Sequence, residues 1–145
     1  MSDIPQLQVL QQLGRTYRTL MSAFEANIGH SMPRWRILIH LYQGGEASQK
    51  QLAHTLRIDP AALTRQIKAI ERMGWVERHS DPADNRLTNV ALTPGGMVLV
   101  EEALPKRAAF IESALGDLSA QDLEALETIL GKLEQRLRVV GPAQA

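Results

Sequence analysis

The stretch from Ser48 to Gly95, SQKQLAHTLRIDPAALTRQIKAIERMGWVERHSDPADNRLTNVALTPG, holds two helix starts separated by a short turn. Ser48 precedes Leu52, Ala53 and Leu56 at helical spacing, and Gln51 follows it by three residues. A hydroxyl accepting from the third helical N–H while the glutamine reaches back makes a capping box. Arg57 and Ile58 form a turn. Asp59 can then cap a second helix whose first position is Pro60, where the missing N–H has no partner to lose. Leu63, Ile67, Ile70 and Met73 are expected on its inner side, and Gly74 ends it. Helix, turn and helix make a helix-turn-helix unit. After Gly74 the segment Trp75–His79 is short and β-prone, Asp81–Arg86 is a turn-rich loop, and Leu87–Leu92 is bounded like a strand. The two strands predict a β-hairpin with a polar tip.

The flanks are helical. Leu7, Leu10, Leu13, Tyr17, Leu20, Met21, Phe24 and Ile28 recur at three- and four-residue steps, predicting a helix from Ile4 or Leu7 to Ile28. Another helix begins near Pro33, carries Ile37, Leu38 and Leu41 inward, and stops at Gly44-Gly45. Thr93 caps a helix that runs to about Leu115. Ser119 caps one with Leu123, Leu126, Leu130, Leu133 and Leu137 at heptad-like steps. The tail from Gly141 to Ala145 is expected to fray. The fold class is therefore mainly α with a small β-hairpin.

With 145 residues the chain is one domain's worth. No apolar run approaches the roughly 18–20 residues that span a bilayer, and Met1–Leu10 does not read as a secretory signal, so the cytoplasm is the expected compartment and no membrane partner is expected. The absence of Cys removes thiol chemistry. His30, His40, His54 and His79 are scattered, so no metal site is expected. No nucleophile with a base appears, and Gly44-Gly45 and Gly95-Gly96 read as helix punctuation rather than a phosphate loop. The chain is expected to be no enzyme and to carry no cofactor. Net charge is zero but segregated: residues 48–86 hold seven Lys and Arg against five Asp and Glu, whereas residues 97–131 hold two against seven.

Taken in order, Ser48–Ala53, Asp59–Arg65, Ile70–Val76, Asp81–Arg86 and Val90–Gly95 resemble the MarR family of transcriptional regulators, including its SlyA-like members. The resemblance covers nearly the whole chain. Its most specific part is the acidic residue, any residue, arginine pattern at Asp84-Asn85-Arg86, followed by a strand ending in Leu-Thr-x-x-Gly. Many members have Asp-Arg-Arg there, so Asn85 removes one basic contact. The resemblance implies a winged helix-turn-helix over about residues 33–95. It also implies dimerisation helices over about residues 1–30 and 105–140. The periodicity of the leucines fits an intramolecular core equally well.

A helix in the major groove reads base edges with its outward side chains. Pro60, Ala61, Thr64, Arg65 and Lys68 are the outward positions of the second helix. Arg65 can hold a guanine through two hydrogen bonds, while Ala61 and the Thr64 methyl can touch a thymine methyl. Lys68 and Arg72 suit phosphates, as does the helix end at Ser48 and Gln49. The resemblance implies that Arg86 enters the minor groove, with Asp84 holding its guanidinium. The bland readings are a surface ion pair for Arg65 and a stabilised turn for Asp84 and Arg86. The expected partners are double-stranded DNA, a second copy of the chain, and a small effector in a crevice near Tyr17, His30, Met32, Arg34, Trp35 and Arg36. Trp35 could stack an aromatic ring or simply fill the core, and the arginines could pair a carboxylate or be solvated. The expected function is a homodimeric repressor of a pseudo-palindromic operator, released by a small anionic aromatic compound. The alternative is a protein-interaction module on the same fold, docking through its acidic helices.

Overall fold

Helix starts follow the capping residues. The computed structural model describes residues 4–141, and the expected fraying of Pro142–Ala145 lies outside them. Helix α1 spans Pro5–Ile28 and closes on Gly29, whose φ of 90° is the left-handed conformation that glycine adopts freely. Helix α2 spans Met32–Gly44; Ser31 caps it, so Pro33 is its second residue rather than its first. Strand β1 is Ala47–Ser48, helix α3 Gln49–Leu56 and helix α4 Pro60–Arg72. Strands β2 (Val76–Ser80) and β3 (Thr88–Leu92) form the hairpin, and helices α5 (Pro94–Leu115) and α6 (Ala120–Val140) follow.

The hairpin is part of a three-stranded antiparallel sheet ordered β1-β3-β2, which the sequence did not announce. Strand β1 has two residues, too few to show alternation, and pairs Ala47 with Val90 and Ser48 with Asn89. Pairing with β3 sets the start of α3 beside the hairpin. On β2 the register runs from Val76 opposite Leu92 to Ser80 opposite Thr88.

Two units divide the chain, one ending at Phe110 and the other beginning at Ile111. In the first, Ile37 and Leu38 of α2, Leu52 of α3, Leu63, Ile67 and Ile70 of α4, Val90 of β3 and Val100 of α5 are almost completely buried. Truncating any of the larger ones to alanine removes about 2–5 kcal/mol of stability. Met73 is not among them. It is 46% exposed because α4 ends at Arg72 and the chain reverses through Gly74, at φ 82°. Gly96 also departs from expectation. It lies inside α5, and a Cβ there would stand 2.1 Å from the Trp75 carbonyl oxygen, so it permits a close approach rather than ending a helix. In the second unit, α6 starts with a capping box between Ser119 and Asp122. Its Leu123, Leu126, Leu130 and Leu137 are exposed.

Candidate nucleic-acid interface

Helix α3 is fixed at both ends. The Ser48 hydroxyl accepts from the Gln51 backbone N–H at 3.0 Å, and the Gln51 side-chain Oε1 accepts from the Ser48 N–H at 3.3 Å. Ser48 is buried at 8% exposure and its hydroxyl serves the cap, so a phosphate at this helix end would meet backbone N–H groups and not the Ser48 side chain. At the other end Arg57 takes φ 54°, a left-handed conformation uncommon outside glycine, and turns the chain toward α4. Arg36 reaches across from α2 and donates to the free Leu56 carbonyl at 2.5 Å.

Helix α4 presents the expected face. The Asp59 carboxylate accepts from the Ala62 N–H at 3.1 Å, with Pro60 at the first turn. With Leu63, Ile67 and Ile70 turned into the core, Pro60, Ala61, Arg65, Lys68 and Arg72 are exposed. Thr64 is half-buried; its hydroxyl donates to the Pro60 carbonyl at 3.0 Å and accepts from the Gln49 amide at 3.2 Å. Gln49 thus bolts α3 to α4, and the Thr64 hydroxyl has internal partners. A cleft of about 420 Å³ between the two helices is lined by Gln49, Lys50, Ala53, His54, Pro60 and Thr64 among others.

The loop between β2 and β3 is organised by carboxylates. Asp81 accepts from the N–H groups of Ala83 (2.8 Å) and Asp84 (3.0 Å) and from the Asn89 side chain (3.0 Å). These bonds, that from Asn89 foremost, hold its carboxyl below the ordinary carboxylate value. Asp84 accepts from the Arg86 guanidinium at 3.0 and 3.3 Å, which lowers its pKa likewise. The Arg86 side chain is nonetheless 90% exposed. Asn85 is exposed beside it. Behind the face, Glu71 at the end of α4 accepts twice from Arg78 of β2, at 3.1 and 2.9 Å, so the hairpin and α4 are joined.

The six residues expected around an effector have different surroundings. Trp35 is a core residue, 3% exposed, tilted against Phe24 with ring centroids 6.5 Å apart and with the Arg107 guanidinium 5.6 Å from its own. Arg36 serves the end of α3. Met32 packs against the core. Tyr17 is exposed on α1, beside an open concavity shared with Arg18, Met21, Glu25 and Gly29. Only His30 and Arg34 share an environment. His30 stands edge-on to Trp75 at 5.1 Å, and its pKa is lowered by burial, then by the charges of Lys106 and Arg34. Arg34 donates to Gln66 at 3.3 Å. Lys106, Arg107 and Trp75 are not among the residues that the sequence points to around an effector. They lie some 40–75 positions away from His30 and Trp35, and no local pattern marks them. Among the described residues no three His, Asp or Glu side chains converge as metal ligands, and no helix is long and apolar enough to cross a membrane.

The chain is similar to known transcriptional regulators. The MarR family profile matches residues 30–88. The HTH-type transcriptional regulator YdgJ of Bacillus subtilis is 33% identical over 130 residues, covering 90% of this chain and 79% of the relative. Among solved structures, Bordetella bronchiseptica BpsR, described in a study of regulation of its DNA binding by 6-hydroxynicotinic acid, is 28% identical with a TM-score of 0.76, covering 88% of this chain and 98% of its own. A MarR mutant from E. coli complexed with operator DNA shares the fold, with a TM-score of 0.82 at 22% identity, over 91% of this chain and 99% of its own.

Proposed function

The chain belongs to the MarR family of winged helix-turn-helix transcriptional regulators, and on that premise we propose that it is a homodimeric repressor of a pseudo-palindromic operator, released from DNA by a small anionic aromatic compound. It is a DNA-binding regulator and not an enzyme. One observation carries the finer reading. Exposed Arg65 and Lys68 on a proline-started helix stand on the same module as an arginine that is 90% exposed yet held by a carboxylate. Arg65 and the Thr64 methyl read bases in the major groove, Lys68 and Arg72 meet phosphates, and Arg86 enters the minor groove.

Pairing of two chains is supported by apolar side chains left in water. Leu7, Leu10 and Leu20 on α1 are exposed, as are Leu126, Leu130 and Leu137 on α6. Apolar stripes of this extent mark interaction surfaces, and a twofold dimer duplicates the recognition helix. Residues 1–30 and 105–140 are accordingly the dimerisation segments. The effector's charge is supported by His30, whose proton is disfavoured by burial and by two neighbouring cations. An aromatic carboxylate would satisfy such a site, and BpsR, at 28% identity, responds to an aromatic acid.

Fluorescence anisotropy on a duplex selected from a randomised pool tests this reading. Affinity should fall linearly with salt on logarithmic axes, with a slope of about −0.9 for each phosphate neutralised. Arg65→Ala should lose about 1–3 kcal/mol of discrimination at one base pair in each half-site. Titrating 6-hydroxynicotinic acid and related aromatic acids should release the duplex. A salt-independent signal, or an Arg65→Ala variant with unaltered preference, contradicts the DNA reading; a panel that releases nothing contradicts the effector reading alone.

A further inference from the structure

Asn89 sits at the centre of the sheet, paired in register with Ser48 on β1 and with His79 on β2. It is 7% exposed. Its side-chain amide donates to Asp81 at 3.0 Å and, more weakly, to Glu46 at 3.4 Å. The other oxygen of Glu46 lies 3.1 Å from His79 Nε2. From Asp81 the chain of bonds continues outward. Its second oxygen accepts from the N–H groups of Ala83 and Asp84, and the Asp84 carboxylate accepts from the backbone N–H, Nε and Nη2 of Arg86. A continuous series of hydrogen bonds therefore runs from the sheet centre, beside the residue that caps α3, to the exposed guanidinium on the loop.

Asparagine is a poor choice for that position on stability grounds alone. It is depleted in strands, and a buried amide costs free energy unless every bond is made. The next residue, Val90, is fully buried on the opposite face of the strand, whereas the side of the sheet that Asn89 faces carries Asp81 and Glu46. What the amide supplies and an apolar side chain does not is a directional bond to Asp81.

We propose that Asn89 is a positioning residue for DNA recognition: it ties the loop to the helix-turn-helix through Asp81, and so sets where Arg86 points relative to α4. This rests on the reading of Arg86 as a DNA contact. It assigns specificity at the operator flanks to a residue that touches no DNA.

A double-mutant cycle on the full chain tests it, using the duplex selected by the unmodified protein. Asn89→Leu should weaken binding about fivefold, Arg86→Ala by a similar factor, and the double variant should bind no more than about twofold worse than Arg86→Ala. In free Asn89→Leu, followed by NMR, the Asp81 carboxyl should titrate higher than in the unmodified protein, and the Asp84 amide should exchange faster. If Arg86→Ala binds as well as the unmodified protein, the reading of Arg86 fails and the role of Asn89 falls with it. If Arg86→Ala weakens binding but Asn89→Leu has no effect, or its loss simply multiplies with that of Arg86→Ala, the positioning role alone is overturned. Should Asn89→Leu fold poorly, Asp81→Asn breaks the same series at its solvent side. Turned one way, that amide loses the loop N–H groups; turned the other, it keeps Asn89 only if the Asn89 amide flips and gives up its bond to Glu46. It must show the same non-additivity, and independent losses overturn the proposal.

Discussion

Gly96 is where a single residue decides whether the hairpin and α5 meet. A Cβ at this position would lie 2.1 Å from the Trp75 carbonyl oxygen and 3.0 Å from Leu92 Cδ2. The same Trp75 carbonyl accepts from the Thr93 N–H at 3.0 Å, and the Thr93 hydroxyl donates to Gly74 at 2.6 Å. Backbone at both ends of the contact is thus pinned and cannot yield. Gly96→Ala should cost at least about 2 kcal/mol in urea denaturation, more than the loss from a surface substitution. An unchanged midpoint would show that the approach is not close in solution. Sequence alone suggests a glycine as punctuation and nothing more, because the atom it must avoid lies 21 positions away. Ser48 teaches the same lesson in reverse. Its capping role was legible from Gln51, but its burial depended on β1, whose pairing with β3 no local pattern announces.

Helix caps carried most of what could be read at the level of elements. Ser48, Asp59 and Ser119 each start the helix expected of them, because a side-chain oxygen over free N–H groups is a local, short-range device. The turn between α3 and α4 lies where the sequence predicts it, yet its left-handed residue is Arg57, a type that gives no warning of positive φ. Contacts between elements were less legible. The bond pair from Arg78 to Glu71, which ties β2 to α4, lowers the Glu71 pKa, chiefly through the hydrogen bond itself. Asp81 and Asp84 are lowered too. The sign follows from linkage: the unfolded chain takes up protons on these groups first as pH drops. Their stabilisation is complete above the ordinary carboxylate values, 4.5 for Glu71 and 3.8 for the aspartates. It is lost as pH falls through the depressed ones. Urea midpoints measured from neutral pH downward should decline below about pH 4.5, and Glu71→Gln should make that decline shallower. A decline no different from that of the unmodified protein would remove Glu71 from the account.

For the whole molecule, the question is how one small module reaches useful affinity from a chain of zero net charge. Segregation answers part of it. The bases concentrate on residues 48–86, which carry α3, α4, β2 and the loop that follows it, and the acids on residues 97–131. The proposed pairing with a second chain would supply the rest, by setting two recognition helices about one DNA turn apart on one duplex. The apolar stripes of α1 and α6 were plain in the sequence, but periodicity cannot separate an internal core from an interface. Chemical footprinting on a selected duplex tests the central claim most directly. Two protected guanine clusters should appear in successive major grooves about 10 base pairs apart, flanked by minor-groove protection that Arg86→Ala abolishes. A single protected cluster, or a pattern of protection indifferent to Arg86, contradicts the account.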